Sequence, residues 1–458
     1  MVPISYRVKQ LALVMGDLFV FELALIPALW LRYGTLRIED LARHVPAYGF
    51  VGLFWCVSFY INHLYDLEVK PPLRLLRTYL EGMIVNFAIA IVIFYLLPFG
   101  IAPRTNLFFH FLISLILGYG WRILYHRFVI ETRKPIAFLY MGDPNLLHNA
   151  AHLLKHNQYG FVLHSAFFSG PIQIPEDIGL TQVIPNPQTA IHAINTGEIG
   201  GIIMDRKASL HVSARDIARA ALYTSIPIFD LLDLEETIEG RIPLAQLSET
   251  WLLIHLQEAE KTFYDNLKRG LDVLFSIPFG VLTLILAPIL ATLNFFLSPG
   301  PLLYHQQRVG RKGKLFQLWK FRTMHVDAEA NGPQFSSDVK TDKRITKIGG
   351  WLRRMRIDEL PQIWNVLRGD LSFVGPRPER PEFVEPLLAQ EPAYGLRHVT
   401  RPGLTGWAQV TYLKPNERNE DNLVKLQYDL YYLKHRSFIL DGLILLKTIG
   451  IILRREGV

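Results

Sequence analysis

The chain of 458 residues has one cysteine, Cys56, which lies inside an apolar run. A single thiol cannot form an internal disulfide, and Cys-rich metal sites are excluded; Cys56 reads as core or lipid-facing filler. Histidine is present, but His325 and His398 stand alone and no HxxH or HExxH spacing occurs. That excludes a His-built metal centre. There is no Walker A sequence and no Gly-x-Ser-x-Gly elbow, so P-loop and hydrolase-elbow chemistry are set aside. Internal repeats are lacking, which argues against a transporter or flippase. The basic residues are not interleaved with aromatics as a stacking platform, which argues against nucleic acid.

Apolar surface and positive charge are plentiful. Half of the residues are hydrophobic and the formal net charge is +7. Mean hydropathy is +0.20 and the isoelectric point about 9.2. These values suit a membrane protein with a sizeable water-facing part, whose basic surface meets anionic lipid or phosphorylated substrates. The length calls for two or three domains.

Four apolar runs fill the first quarter: Leu11–Leu31, Tyr48–Leu64, Met83–Phe99 and Leu107–Leu124. Each is close to the roughly 17–25 residues a bilayer-crossing helix needs. The first follows Arg7 and Lys9 and lacks a cleavage site, so it reads as a retained span rather than a signal peptide. Asp17 and Glu22 within it must face other helices or the interface. Lys70, Arg74 and Arg77 between the second and third runs, and Arg127, Arg133 and Lys134 after the fourth, put both ends of this unit in the cytoplasm. Arg32, Arg37 and Arg43 in the first external loop pull the other way.

From Pro135 short apolar strands alternate with helical spacing, as in "PIAFLYMGDPN", "FVLHSAFF", "GGIIMD" and "IPIFDL", with "ARDIARAALYTS" as an amphipathic helix. The alternation predicts a parallel, Rossmann-like α/β domain over residues 134–247. Its first strand ends at a lone glycine, Gly142. A dinucleotide fingerprint needs two more, which leaves nucleotide binding and a regulatory or structural role both open. A further unit, 261–458, begins with a long apolar run interrupted by Pro278 and Pro288. Two readings fit: a plain span, or a re-entrant helix over about 264–297 that breaks near Pro288 and returns to the same face. The final apolar run carries Asp441 and Lys447 and suits an interfacial helix.

The densest chemistry lies in "RMRIDELPQIWNVLRGDLSFVGPRPERPEF". Asp358 and Glu359 precede Pro361, a proline suited to a helical first turn. The pair is therefore either an N-cap with a first-turn acid, or a nucleophilic carboxylate beside one that holds Mg²⁺. Arg377 sits between Pro376 and Pro378, a stiff turn that would aim a planar fork at phosphate or simply pair with a carboxylate. Lys320 and Arg322 alternate with Trp319 and Phe321 in "LWKFRTM", which puts both cations on one face of a strand, solvated or lining an anionic pocket. Arg308, Arg311, Lys312 and Lys314 read as contacts to anionic membrane lipid, with solvent exposure as the alternative.

"KRGLDVLFS", "KFRTM", "RIDELPQIWNVLRGDLSFVGPRPERPEFV" and "RPGLTGWAQV", in this order, resemble the signature blocks of bacterial exopolysaccharide-initiating sugar transferases. These are the large monotopic polyprenyl-phosphate hexose-1-phosphate transferases. The resemblance is dense from Lys261 to Val458; before that it is one of architecture only. It implies a membrane α-helical bundle of four spans (1–130), a Rossmann-like α/β domain (134–247), and a mixed α/β catalytic domain anchored by a re-entrant membrane helix (261–458). It implies that a sugar-1-phosphate moves from a UDP-sugar, with glucose or galactose foremost, to undecaprenyl phosphate, releasing UMP. Asp358 would be the nucleophile, Glu359 the Mg²⁺ ligand and Arg377 a phosphate contact, with Lys320 and Arg322 in the basic block nearby. The family's helix breaks at Ser-Pro, where this chain has Ala287-Pro288. The implied location is the bacterial inner membrane with the catalytic domain on the cytoplasmic face. A homodimer is compatible with the surface left over. The competing reading is an inactive membrane scaffold of a polysaccharide assembly complex.

Overall fold

The computed structural model describes residues 4–62, 64–67, 72–97, 99, 104–130, 135–155, 160–168, 182–184, 186–205, 212–244, 261–328, 342, 344–413 and 419–454. Contacts divide the chain into two units, Met1–Ile238 and Glu239–Val458.

The first unit opens with helices α1 (Ile4–Tyr33), α2 (Ile38–Ile61), α3 (Pro72–Leu96) and α4 (Arg104–Tyr125). All four contain a segment long and apolar enough to cross a membrane. α2 and α3 begin about ten residues before their apolar runs. Polar first turns extend them: Glu39 and Asp40 favour the start of α2, and Arg77 and Glu81 pair at i,i+4 on α3. Asp17 is fully buried and paired with Arg122 of α4, whose guanidinium also donates to Leu64 O at 2.7 Å and lies over the Phe59 ring. The costly acid on α1 thus faces another helix, as an acid in lipid must.

In the same unit follow β1 (Ile136–Met141), α5 (Pro144–Lys155), β2 (Phe161–Phe167), β3 (Gln182–Ile184), α6 (Pro187–Asn195), β4 (Gly201–Met204), α7 (Val212–Tyr223), β5 (Ile228–Asp230) and α8 (Leu231–Glu239). The strands form one parallel sheet of order β3-β2-β1-β4-β5. Four of them are the strands expected from sequence; β3 is a three-residue edge strand too short to leave a pattern. The core is continuous from the helices into the sheet, joining Leu13, Trp55 and Tyr79 to Phe138, Tyr140 and Leu147. A side chain at Gly142 would meet Asp205 Cβ at 2.6 Å and Tyr140 Oη at 2.8 Å. Asp205 Oδ2 also accepts from Asp143 N at 3.3 Å, just before α5.

The second unit is built on α9 (Thr262–Leu297), a fifth helix long and apolar enough to cross a membrane. It continues through Pro278 and Pro288, without the interruption the sequence suggested at Pro288. One stripe of it touches the unit over its whole length. Tyr264 and Lys268 bond Asp441 at 2.6 and 2.7 Å. Arg269 caps the carbonyl end of α11 (Ile363–Arg368), donating to Leu367 O at 2.7 Å. Asp272 Oδ1 accepts from Ser372 Oγ and Phe373 N, both at 3.1 Å. Leu286, Ala287 and Leu290 then pack with Phe321 and Leu352. The other side exposes Leu274, Phe275, Ile277, Leu284, Ile285, Ile289, Phe295 and Phe296.

Around this helix stand the antiparallel hairpin β6 (Leu303–Val309) and β7 (Leu315–Phe321), and the short parallel pair β8 (Ser372–Val374) and β9 (Gly403–Thr405). The remaining helices are α10 (Lys347–Arg354), α12 (Pro381–Gln390), α13 (Trp407–Thr411), α14 (Asn419–His435) and α15 (Phe438–Arg454). α15 is the last apolar run. It is packed into the unit through Leu440, Asp441 and Ile444, leaving Ile439 and Ile449 outward.

Asp272→Ala leaves the Ser372 hydroxyl and the Phe373 amide without their acceptor. Thermal unfolding of the detergent-purified protein should show a loss of about 1–3 kcal/mol; an unchanged melting temperature would mean that this joint does not hold α9.

Candidate active site

Asp358 and Glu359 lie on a 3₁₀ turn, Ile357–Gln362, that runs directly into α11. The sequence suggested an α-helical first turn there. A 3₁₀ turn has about three residues per turn, so the two side chains diverge by roughly 120°. Arg356 precedes it with φ +56, a left-handed conformation that turns the chain sharply out of α10. The turn is fixed to the hairpin by Asn365, wholly buried on α11. Its Nδ2 donates to Gln317 O at 2.7 Å and its Oδ1 accepts from Trp319 N at 3.1 Å. Nothing in the sequence singled out Asn365, because its partners are backbone atoms of a strand far away in the chain.

The two acids have different surroundings. Glu359 Oε1 meets Lys320 Nζ at 3.1 Å and Arg356 Nη1 at 3.5 Å. Burial opposes its ionisation, but Lys320, Arg356 and Arg377 outweigh it and hold the carboxyl down to about 2. Asp358 is 6% exposed, and its Oδ1 is buried with no hydrogen-bond partner among the described residues. Burial, then the charge of Glu359, push its carboxyl upward, partly offset by Lys320, Arg353 and Arg356. Lys320 is pulled down by burial and back up by both acids. Environment thus drives two neighbouring carboxyls apart.

Lys320 of β7 and Arg377 are the residues read from sequence that the structure brings to this pair. Arg377 acts on Glu359 through its charge, and its guanidinium makes no hydrogen bond among the described residues. Arg322 is elsewhere. β7 ends at Phe321, so the expected alternation stops before it. Its guanidinium instead closes the C-terminal end of α9, bonding Asn294 Oδ1 at 2.9 Å, Pro301 O at 2.7 Å and Ser298 O. Arg308, read from sequence as facing lipid, is turned inward onto Pro378 O at 3.0 Å and Glu379 at 3.7 Å. Arg353 and Arg356, missed as site residues, were visible only as members of an arginine-rich stretch.

Among the described residues no group of three or more His, Cys, Asp or Glu could hold a metal ion. An all-protein cage is therefore not built here. One or two carboxylates with an open oxygen beside substrate phosphates do fit Mg²⁺, which favours that donor set.

The opposite shifts make opposite predictions. The depressed value of Glu359 means that its contribution to stability is full above the ordinary carboxylate range and is lost as pH falls toward 2. The raised value of Asp358 means that its ionised form costs stability above the ordinary range. At neutral pH, Asp358→Asn should raise the melting temperature and Glu359→Gln should lower it. Shifts of the same sign would contradict this electrostatic picture.

The Bacterial sugar transferase family profile matches residues 263–455, which include the whole turn, the hairpin and all but the first residue of α9. The chain is 40% identical over 246 residues to the UDP-N-acetylgalactosamine-undecaprenyl-phosphate N-acetylgalactosaminephosphotransferase of Aeromonas hydrophila, covering 53% of this chain and 56% of that protein. It thus spans little more than half the length of that relative. It is 40% identical over 197 residues to the UDP-glucose:undecaprenyl-phosphate glucose-1-phosphate transferase of Caulobacter vibrioides, covering 42% of this chain and 72% of that protein. It is 39% identical over 191 residues to the exopolysaccharide production protein PSS of Rhizobium leguminosarum, covering 40% of this chain and 93% of that protein. With the acid pair, its cations and the apolar helix inside the matched region, the chain belongs to the bacterial sugar transferase family.

Proposed function

We propose that the protein transfers a sugar-1-phosphate from a UDP-sugar to undecaprenyl phosphate through a covalent intermediate on Asp358, as the first membrane step of exopolysaccharide assembly. The observation that carries this reading is the contrast between the two acids: Asp358 keeps one buried oxygen free of donors, while Glu359 is tied to cations. An oxygen with no donor is a nucleophile not masked by hydrogen bonding.

In this reading Asp358 attacks the sugar-bearing phosphorus of the donor. The phosphorus–oxygen bond to UMP breaks, and UMP leaves with that oxygen. The product is an acyl phosphate between Asp358 and the sugar phosphate. A phosphate oxygen of the lipid acceptor then attacks the same phosphorus, and the bond to Asp358 breaks to restore the carboxylate. Arg377 and Lys320 orient the donor phosphates and offset their charge. Mg²⁺, held by Glu359 with substrate phosphate, would supply further neutralisation of the diphosphate. Candidate donors are UDP-glucose, UDP-galactose and UDP-N-acetylgalactosamine, since the relatives' names include glucose, galactose and N-acetylgalactosamine.

The same reading places this unit on the cytoplasmic face, with α9 entering and leaving the bilayer on one side. A 36-residue helix is about 54 Å long, well beyond the roughly 30 Å hydrocarbon core. Both ends are bonded to one compact unit, Tyr264 to Asp441 and Asn294 to Arg322. Because α9 is continuous through Pro278 and Pro288, the re-entrant course proposed here requires the helix to bend at a proline rather than to break. The α/β domain, whose first strand ends at a lone glycine rather than a dinucleotide fingerprint, is assigned a regulatory or structural role.

The test is transfer of label from each UDP-sugar into extracted lipid, with UMP release measured in parallel. Label should enter the lipid with one donor. Asp358→Asn should lose at least ~10³-fold in rate. Arg377→Ala should lose ~10²-fold in kcat/KM for the donor. Activity should fall on acidification at a pH above the ordinary carboxylate range, because Asp358 must be ionised. Transfer that survives Asp358→Asn would overturn the covalent route; no transfer with any donor would favour the inactive scaffold.

A further inference from the structure

Arg377 acts from a segment whose backbone carbonyls are all engaged. Pro376 O accepts from Gly403 N at 2.9 Å, Arg377 O from Arg397 Nη2 at 3.0 Å, Pro378 O from Arg308 Nη1 at 3.0 Å, and Glu379 O from Val309 N at 3.0 Å. Two of the four donors are backbone amides belonging to β9 and β6. The carbonyl of Arg377 itself depends on a side chain, that of Arg397.

Arg397 is an unusual donor. It is 4% exposed and sits on the 3₁₀ turn Pro392–His398, with its guanidinium over the Tyr394 ring. Its Nη1 donates to Tyr394 Oη, and its Nη2 lies 2.8 Å from Asp429 Oδ2 of α14. Its Nε has no hydrogen-bond partner among the described residues. A buried ion pair of this kind is often no more stabilising than apolar residues of the same volume. Stability alone therefore does not account for a guanidinium here. What an apolar replacement could not supply is the bond to Arg377 O. Nη1 is held by Tyr394, and Nη2 lies between the Asp429 carboxylate and Arg377 O, so the planar fork ties the turn to both.

We propose that Arg397, clamped by Asp429 and Tyr394, is the positioning residue that sets the direction of the Arg377 guanidinium toward the donor phosphates. This rests on the function proposed above. Arg397 touches no reacting atom; it acts through the backbone of Arg377. The carbonyl it holds belongs to the same residue as the phosphate-binding side chain, so a shift of the turn moves the fork directly. Misplacement of a substrate-positioning group by about 1 Å can cost ~10²-fold in rate.

The test is a double-mutant cycle on the purified full chain, read as kcat/KM for the donor. Arg397→Lys keeps the charge but loses the fork, and should lower kcat/KM by ~10-fold or more while leaving KM for the lipid acceptor unchanged. Combined with Arg377→Ala it should add less than about 2-fold to the loss from Arg377→Ala alone, because both act through one group. Asp429→Asn, nearly the same shape, should show the same pattern; it carries the test if Arg397→Lys fails to fold. Losses that multiply in the double variants would make Arg397 a structural residue and overturn the proposal, as would full activity in folded single variants. If wild type transfers and Arg377→Ala has no effect, the role of Arg377 fails and the proposal falls with it. If wild type transfers nothing, the proposed function is what fails.

Discussion

Two carboxylates in sequence, both withdrawn from water, cannot both stay ionised without cations close by. The second unit is arranged around meeting that requirement unequally. Lys320 comes from β7, Arg353 from α10, Arg356 from the left-handed residue before the turn, and Arg377 from the segment after β8. Together they hold Glu359 ionised and leave Asp358 only partly compensated. An acid with a raised value and an open oxygen gains reactivity from being poorly solvated. The hairpin, the bond from Asn365 to its strand and the sharp turn at Arg356 matter because they set these distances.

The membrane attachment follows a related logic. The stripe on α9 from Tyr264 to Asn294 is polar at both ends and apolar in the middle, matching the surface it touches. Its outward face is exposed and built of Leu, Ile and Phe. One helix therefore meets lipid on one side and the active unit on the other. Fixing that helix also fixes the turn, because Leu360 and Ile357 of the turn pack in the same cluster as Leu286 and Ala287.

Much of this was readable in advance. Apolar runs of spanning length marked four helices, and alternating strand and helix patterns marked the parallel sheet. Asp358, Glu359 and Arg377 were visible because charged residues beside prolines are locally conspicuous. What sequence reasoning missed was set by contacts distant in the chain. Arg322 sat on the right strand face by alternation, but the strand ended one residue too soon and the guanidinium found the carbonyls at the end of α9. Arg308 looked like a lipid contact because it lies in a basic cluster, yet it points at the backbone of Pro378. The bonds by which Asn365 and Arg397 position the site carry no local signal, since they end on backbone atoms 46 and 20 residues away. The extra turns on α2 and α3 escaped because hydropathy tracks lipid contact, whereas the helical hydrogen-bond ladder continues into polar sequence.

The central claim is that Asp358 becomes covalently linked to the sugar phosphate. Intact-protein mass spectrometry of the detergent-purified chain tests it most directly, with Mg²⁺ and each UDP-sugar present and the lipid acceptor left out. The account predicts a mass increase equal to one sugar phosphate with one donor, absent in Asp358→Asn. No adduct with any donor, while UMP still appears once lipid is added, would contradict it and give Asp358 a different role.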